Sequence, residues 1–161
     1  MEIRRADSGD LDEILSIYDH ARRFMAENGN AGQWGNSYPA QALLEEDIRL
    51  GRLYVCLADG RLAGVFAYAQ EEDPTYRVIE DGAWLNDAPY AVVHRVASAP
   101  GTKGAATFCL NWAFARSGNV RIDTHADNAP MQALLGKLGF TRCGNIRLAD
   151  GSPRIAFQKT R

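Results

Sequence analysis

Two patterns in this sequence could do chemistry. The first is the loop Pro100-Gly101-Thr102-Lys103-Gly104, set between an apolar run from Tyr90 to Ser98 and another from Ala105 to about Ser117. Free main-chain N–H groups at a strand-to-helix junction form an anion site, and the helix dipole strengthens it. Glycine lets a phosphate approach the backbone closely, and Lys103 adds a positive charge. The loop therefore suits a phosphate-bearing ligand, although a plain structural turn reads equally well on these residues alone. Neither G-x-x-x-x-G-K-[ST] nor G-x-G-x-x-G is present, which argues against ATPase and dinucleotide chemistry. The second pattern is the set of three histidines, His20, His94 and His125, the side chains that titrate near neutrality and suit acid–base work. They are scattered without ligand spacing, so no metal site is expected. The three cysteines, Cys56, Cys109 and Cys143, lack C-x-x-C spacing and sit in apolar surroundings. They read as small buried hydrophobes, with a catalytic thiol at Cys143 as the alternative.

The elements that must carry these residues follow from periodicity. Glu2 to Arg5 reads as a short strand. Leu11, Ile14, Leu15, Tyr18, Ala21 and Met25 repeat at helical spacing behind the capping residues Asp7 to Asp10, and Asn28-Gly29-Asn30 stops that helix. Ala31 to Tyr38 reads as a loop with two large aromatics, and Pro39 is placed to open a second helix through Leu43, Leu44 and Ile48. Leu53–Ala58 and Arg61–Gln70 form a hairpin about Asp59-Gly60. The polar stretch Glu71 to Pro89 reads as a loop-rich insertion. Tyr90–Ser98 is a strand, and Ala105–Ser117 is a helix apolar nearly all round, hence deeply packed. Asn119–Thr124 is a strand, and Asn128-Ala129-Pro130 opens a helix that Gly139 stops. A hairpin about Asp150-Gly151 closes the chain. This order predicts a mixed sheet with helices on its faces.

The 161 residues fall in the range of one domain, with 46% hydrophobic and 24% charged residues and a formal net charge of −2. That size supports a core without staples. The acidic balance argues against nucleic acid or an anionic membrane as partner. No run approaches the roughly 20 apolar residues of a membrane helix, and the polar start Met1 to Asp7 does not suit a signal peptide, so a cytoplasmic protein is expected.

Two stretches resemble the GNAT superfamily of acyl-CoA N-acyltransferases. His94-Arg95-Val96-Ala97-Ser98-Ala99-Pro100-Gly101-Thr102-Lys103-Gly104-Ala105-Ala106 is similar to that superfamily's strand and pyrophosphate loop, written Q/R-x-x-G-x-G/A. Gly104 and Ala106 match its last two positions, and Gly101 stands where Gln or Arg is usual. Asp123-Thr124-His125-Ala126-Asp127-Asn128 and Lys137-Leu138-Gly139-Phe140 resemble its coenzyme A half. The resemblance implies an α/β (α+β) GNAT-like three-layer fold over residues 1–161. Its mixed sheet of about seven strands would carry helices on both faces and two splayed parallel strands. It also implies acetyl-CoA as co-substrate without a metal. Val96, Ala97 and Ser98 would pair with the pantetheine arm, the amides of Lys103, Gly104, Ala105, Ala106 and Thr107 would hold the pyrophosphate, and Asn128 would contact the cofactor. A primary amine of a small molecule or peptide would be the acceptor. A homodimer is compatible with the sequence.

Acetyl transfer needs a neutral amine, yet a lysine-like amine with a pKa of about 10.4 is almost wholly protonated at pH 7. The superfamily's usual acid, a tyrosine late in the last long helix, corresponds here to Leu135. Three residues are candidates for the proton transfers: His125, just past the strand Asn119–Thr124, and Tyr90 and His94, which share one face of their strand. Arg95 points to the other face and reads as structural, and His20 reads as surface. Trp34 and Tyr38 are candidates to line the acceptor pocket, with Trp84, Glu80 and Asp81 as its other wall. The missing tyrosine and the altered Gly101 position leave one alternative, a catalytically silent acyl-CoA-binding module of the same fold.

Overall fold

The computed structural model describes residues 1–161. Its elements in chain order are β1 (Glu2–Arg5), α1 (Leu11–Glu27), α2 (Ala31–Trp34), α3 (Gln41–Arg49), β2 (Leu53–Ala58), β3 (Arg61–Ala69), β4 (Ala91–Ser98), α4 (Ala105–Ser117), β5 (Asn119–Thr124), α5 (Ala129–Lys137), β6 (Thr141–Arg147) and β7 (Pro153–Thr160). Short 3-10 turns at Ser8–Asp10 and Pro74–Tyr76 complete it. All seven strands form one sheet in the order β1-β2-β3-β4-β5-β7-β6. Neighbours are antiparallel except β4 and β5.

Strand alternation explains the layers. Leu53 and Val55 of β2 and Val65 and Ala67 of β3 face Ile14, Ile17 and Tyr18 of α1 and Leu44 of α3. Their neighbours Tyr54, Cys56, Phe66 and Tyr68 point to the other face, where Cys109, Leu110 and Ala113 of α4 cover them. Trp112 packs on Tyr54, Phe66 and Tyr68 with ring centroids 5.1, 5.7 and 5.2 Å apart. A third cluster forms where Tyr76, from the segment between β3 and β4, joins Val92, Ile146 and Ala156.

Four local expectations are corrected. The aromatic loop Ala31 to Tyr38 contains a one-turn helix, α2. Pro39 does not open α3, which starts at Gln41; the Tyr38–Pro39 peptide is cis and Pro39 lies ahead of the helix. Helix α4 is not packed all round: Ala105, Cys109, Leu110 and Ala113 are buried, while Asn111, Ala115 and Arg116 are exposed. Its aromatic residues lie along the flanks and make a one-sided helix look uniformly apolar. Tyr90 immediately precedes β4 rather than belonging to it.

The segment between β3 and β4 is locked to the sheet edge. Glu80 bridges Asn145 in antiparallel fashion, and the Ala83 N–H donates to the Cys143 carbonyl at 2.9 Å. Gly82 packs so tightly that a Cβ there would sit 1.9 Å from the Cys143 oxygen.

Candidate active site

Strands β4 and β5 pair only at Ala91–Val120 and Val92–Arg121. Beyond Val92 they part, and a gap opens between Val93–Ser98 and Ile122–Thr124. A β-bulge in β4 sets the shape of this gap. Ala67 of β3 is opposite His94 and Val65 is opposite Ala97, so Arg95 and Val96 together face Phe66. Arg95 takes a left-handed conformation with φ 55°, an unfavourable one for a long side chain. Two contacts hold it there. The Tyr18 hydroxyl donates to the Arg95 carbonyl at 2.8 Å, and the Arg95 guanidinium pairs with the buried Asp47 carboxylate. Sequence alternation put Arg95 away from the site, but the bulge brings it to the cleft wall.

Two cavities meet in the gap. One, of about 390 Å³, is a groove lined by His20, Phe24, Val96, Ala97, Ser98 and Ala106 among others. The other, of about 640 Å³, is a cleft bounded by Trp34, Tyr38, Asp73, His94, Asp123 and Arg154 among others. They share Met25, Val96, Asn128 and Met131. The gap thus joins a groove along the free edge of β4 to a cleft beyond it.

The groove runs toward the N-terminus of α4. Gly104 caps that helix in a left-handed conformation, φ 81°, with no side-chain cap. Helical bonding begins when the Phe108 N–H donates to the Gly104 carbonyl. The amides of Lys103, Gly104, Ala105, Ala106 and Thr107 consequently make no hydrogen bond within the protein. Nothing lies within 4 Å of where a Gly101 or Gly104 Cβ would stand. These features form an open row of donors able to take an anion. His20, read from the sequence as surface, is part of the groove wall; its placement depends on the turn of α1 and has no sequence motif.

The cleft holds a polar cluster. His94 Nε2 lies 2.9 Å from Asp73 Oδ2, and His94 Nδ1 lies 3.9 Å from Asp123 Oδ2. That same Asp123 oxygen accepts the Tyr76 hydroxyl proton at 2.6 Å. Asp73 also accepts the Thr75 amide and hydroxyl at 2.9 and 2.7 Å. Burial pushes the Asp73 carboxyl up, but the hydrogen bonds from His94 and Thr75 outweigh it and bring its pKa down to about 2. Burial, reinforced by the Asp123 carboxylate, holds the Tyr76 phenol well above its ordinary value, so Tyr76 remains a donor to Asp123. An ionised Asp73 favours the His94 tautomer with the proton on Nε2 and the lone pair on Nδ1, toward Asp123.

The other expected site residues scatter. Tyr90 shares a face with His94, and both rings pack near Tyr76. Its hydroxyl, however, accepts the Asp73 amide at 3.0 Å and its ring covers Arg121, outside the cleft. His125 does not line the cleft: its Nδ1 accepts the Asp127 amide at 3.0 Å. Asn128 borders both cavities, but its Oδ1 caps α5 through Met131 N–H and its amide donates to Gln33. Trp34 and Tyr38 do form a cleft wall, while Trp84, Glu80 and Asp81 lie away from it. All three cysteines are buried, and burial raises each thiol pKa. No three His, Cys, Asp or Glu side chains converge as a metal set, and no helix is long and apolar enough to cross a membrane. Asp73, Thr75 and Tyr76 were the residues without a sequence signal, because they lie in the least patterned segment of the chain.

Comparison with solved structures decides the family. An acetyltransferase of the GNAT family from Streptococcus agalactiae is 32% identical, with 99% of this chain and 95% of that chain covered and a TM-score of 0.91. The chain belongs to the GNAT family of acetyltransferases. A putative acetyltransferase from Staphylococcus aureus is 28% identical, with 99% of each chain covered and a TM-score of 0.72. A putative acetyltransferase from Salmonella typhimurium, solved with its cofactor acetyl-CoA, shares the fold at 17% identity, 99% and 93% coverage and a TM-score of 0.66. No protein-family model and no curated protein matches the chain. Within this GNAT fold Leu135 is fully buried in the core. Helix α5 turns Met131 and Leu134 toward the cavities instead, so none of the three offers a proton.

Proposed function

We propose that this GNAT protein moves the acetyl group of acetyl-CoA to an amine held in the cleft. The observation that carries the reading is the parting of β4 and β5 after Val92, which joins an anion-ready groove to a carboxylate-bearing cleft. The pyrophosphate would lie on the free amides of Lys103 to Thr107. The pantetheine arm would add to the open edge of Val96–Ser98 as an extra strand. Its thioester would then sit in the gap, near the bulge at Arg95 and Val96.

The cleft residues account for the acceptor's chemistry. An ammonium group is attracted by Asp123 and gives up a proton to His94 Nδ1, while Asp73 accepts the Nε2–H and steadies the imidazolium. The neutral nitrogen attacks the thioester carbonyl carbon in a ternary complex. A C–N bond forms, the C–S bond breaks, and coenzyme A leaves as a thiolate. The amide nitrogen's second proton goes to the thiolate, and His94 returns its own to solvent. A thiol pKa of about 8.5 makes the thiolate an adequate leaving group without a dedicated acid. Positioning of two reactants contributes about 7–11 kcal/mol, more than the roughly 10²–10⁴-fold effect of one acid or base.

The burial of Leu135, which leaves no phenol where the superfamily's usual acid stands, favours a second reading as a silent acyl-CoA-binding module. Turnover separates the two. Thiol release from acetyl-CoA with a broad amine panel is expected for the enzyme; tight coenzyme A binding with no release from any amine supports the module. Failure to bind either acetyl-CoA or coenzyme A refutes both.

A further inference from the structure

One cation in the cleft has no task in acetyl transfer. Arg154 is only 8% exposed, and it lines the acceptor cleft. Its guanidinium donates to the Pro153 carbonyl at 2.9 Å and to the Gln33 carbonyl at 3.3 Å. It is in no ion pair. The other cleft arginine differs: Arg95 is paired with Asp47. Asp150 borders the cleft as well; hydrogen bonds from Ser152, helped by the charge of Arg154, hold its carboxyl below the ordinary value, but the two side chains form no direct ion pair. A largely buried guanidinium without a direct ion pair is incompletely compensated, so a bound anion would complete its surroundings. A guanidinium has five donors in a planar fork suited to a carboxylate, and two carbonyls leave donors to spare.

Register relates Arg154 to the proposed amine site. Asp123 of β5 is opposite Ala156 of β7, and Thr124 is opposite Ile155. Arg154 and Ala156 share a sheet face, so Arg154 is the diagonal neighbour of Asp123, about 7–8 Å away along that face. A second unpartnered group borders the gap from the other face of β5. The Thr124 hydroxyl is buried, has no hydrogen-bond partner and lines the same cleft. The cleft therefore has an acidic end at Asp123 and Asp73, a cationic end at Arg154, and an aromatic wall at Trp34 and Tyr38.

We propose that the acceptor is a free amino acid. Resting on the acetyl-transfer reading, this assigns the ammonium to Asp123 and His94, the carboxylate to Arg154, and the side chain to the wall of Trp34 and Tyr38. Arg154 is a specificity residue in this scheme. The test measures thiol release from acetyl-CoA with the standard amino acids and with the amine that each gives on decarboxylation. At least one amino acid is expected to exceed its matched amine in kcat/KM by at least about tenfold, the least that a charge-assisted pair provides. Arg154→Gln is expected to erase that preference by raising KM for the acid, with KM for the matched amine unchanged, and Arg154→Lys to restore part of it. Coenzyme A binding by each variant reports that it is folded. If the variants do not fold, the wild-type comparison alone decides. Acetylation of amines with no preference for any amino acid overturns this proposal and leaves acetyl transfer standing, as does a preference that survives Arg154→Gln. Absence of any acetylation by protein that binds coenzyme A overturns acetyl transfer, and this proposal with it.

Discussion

Asp73→Asn tests the proton path most directly. In the wild type one Asp73 oxygen faces His94 Nε2 and the other accepts both donors of Thr75. The replacement amide keeps one acceptor for Thr75 but turns an NH₂ toward His94. The imidazole must then accept at Nε2 and carry its proton on Nδ1, the nitrogen that should receive the proton of the amine. A base in the wrong tautomer forfeits a contribution of roughly 10²–10⁴-fold, so kcat/KM at pH 7 is expected to fall by about 10² or more. The affinity for acetyl-CoA should not change, because Asp73 lies outside the groove. Stability supplies a second readout. The Asp73 carboxyl falls from its ordinary 3.8 to about 2 in the fold. That fall is worth roughly 2–2.5 kcal/mol at about 1.36 kcal/mol per pH unit, and partial hydration of the pair reduces it to about 1–2 kcal/mol. Because the folded value is the lower one, this stabilisation is fully present above about pH 5 and is lost as pH falls from 4 towards 2. Urea unfolding of wild type and Asp73→Asn at pH 6 and pH 2.5 should therefore show a gap that narrows with acid. Wild-type turnover in the variant, with a gap independent of pH, would refute the Asp73–His94 assignment.

Three further outcomes rest on particular contacts. Gly104→Asp places an anion beside the free amides ahead of α4 in a position with open space around its Cβ, so it should raise the coenzyme A dissociation constant at least about tenfold. Gly104→Ala carries the same left-handed strain without the charge and should bind far better, as calorimetric titration of the two variants would report. Gly82→Ala sets a methyl 1.9 Å from the Cys143 carbonyl oxygen; it should displace the segment that carries Asp73 and Tyr76, lowering stability by about 1–3 kcal/mol and turnover more than coenzyme A affinity. Asp47→Ala strands the buried Arg95 guanidinium at the β4 bulge and should lower stability by about 3–5 kcal/mol in urea unfolding.

The fold was legible in the sequence wherever one physical signal dominated. Asp59-Gly60 has both residues at positive φ, 52° and 76°, as a two-residue hairpin turn requires. The helix Ala105–Ser117 ends at Gly118 with φ 71°, a conformation glycine adopts at low cost. The parting of β4 and β5 was expected only through the resemblance to the GNAT superfamily, and strand periodicity gives no hint of it. The same periodicity misplaced Arg95, because alternation assumes an unbroken pleat and a single inserted residue reverses the facing of the rest of the strand. Helix α4 misled for a different reason: Phe108, Trp112 and Phe114 cover its flanks without being fully buried.

Site residues were harder to read than elements because the cleft is assembled from separate segments whose chemistry depends on distance in space. His94 was visible as a residue type, but its orienting partner Asp73 lies 21 positions earlier in a stretch without periodicity. His125 had the right type and the right place at the end of β5, yet a local bond to the Asp127 amide takes up its Nδ1. Turn residues that satisfy neighbouring backbone groups in this way cost little and are common, so a histidine after a strand carries weak information by itself. Asn128 shows the same competition, since capping α5 and bonding Gln33 use both ends of its amide. What separates His94 from these two is that its partners are carboxylates of remote segments. Asp73 arrives on the insertion that Gly82 pins to β6, and Asp123 arrives on β5 just beyond the point where the strands part. Remote carboxylates brought to one imidazole must overcome their own desolvation, a cost that a mere surface turn does not meet. That expenditure of folding free energy at the open end of the strand gap, with Asp73 held ionised by His94 and Thr75, is the physical reason His94 is the residue proposed for the proton transfer.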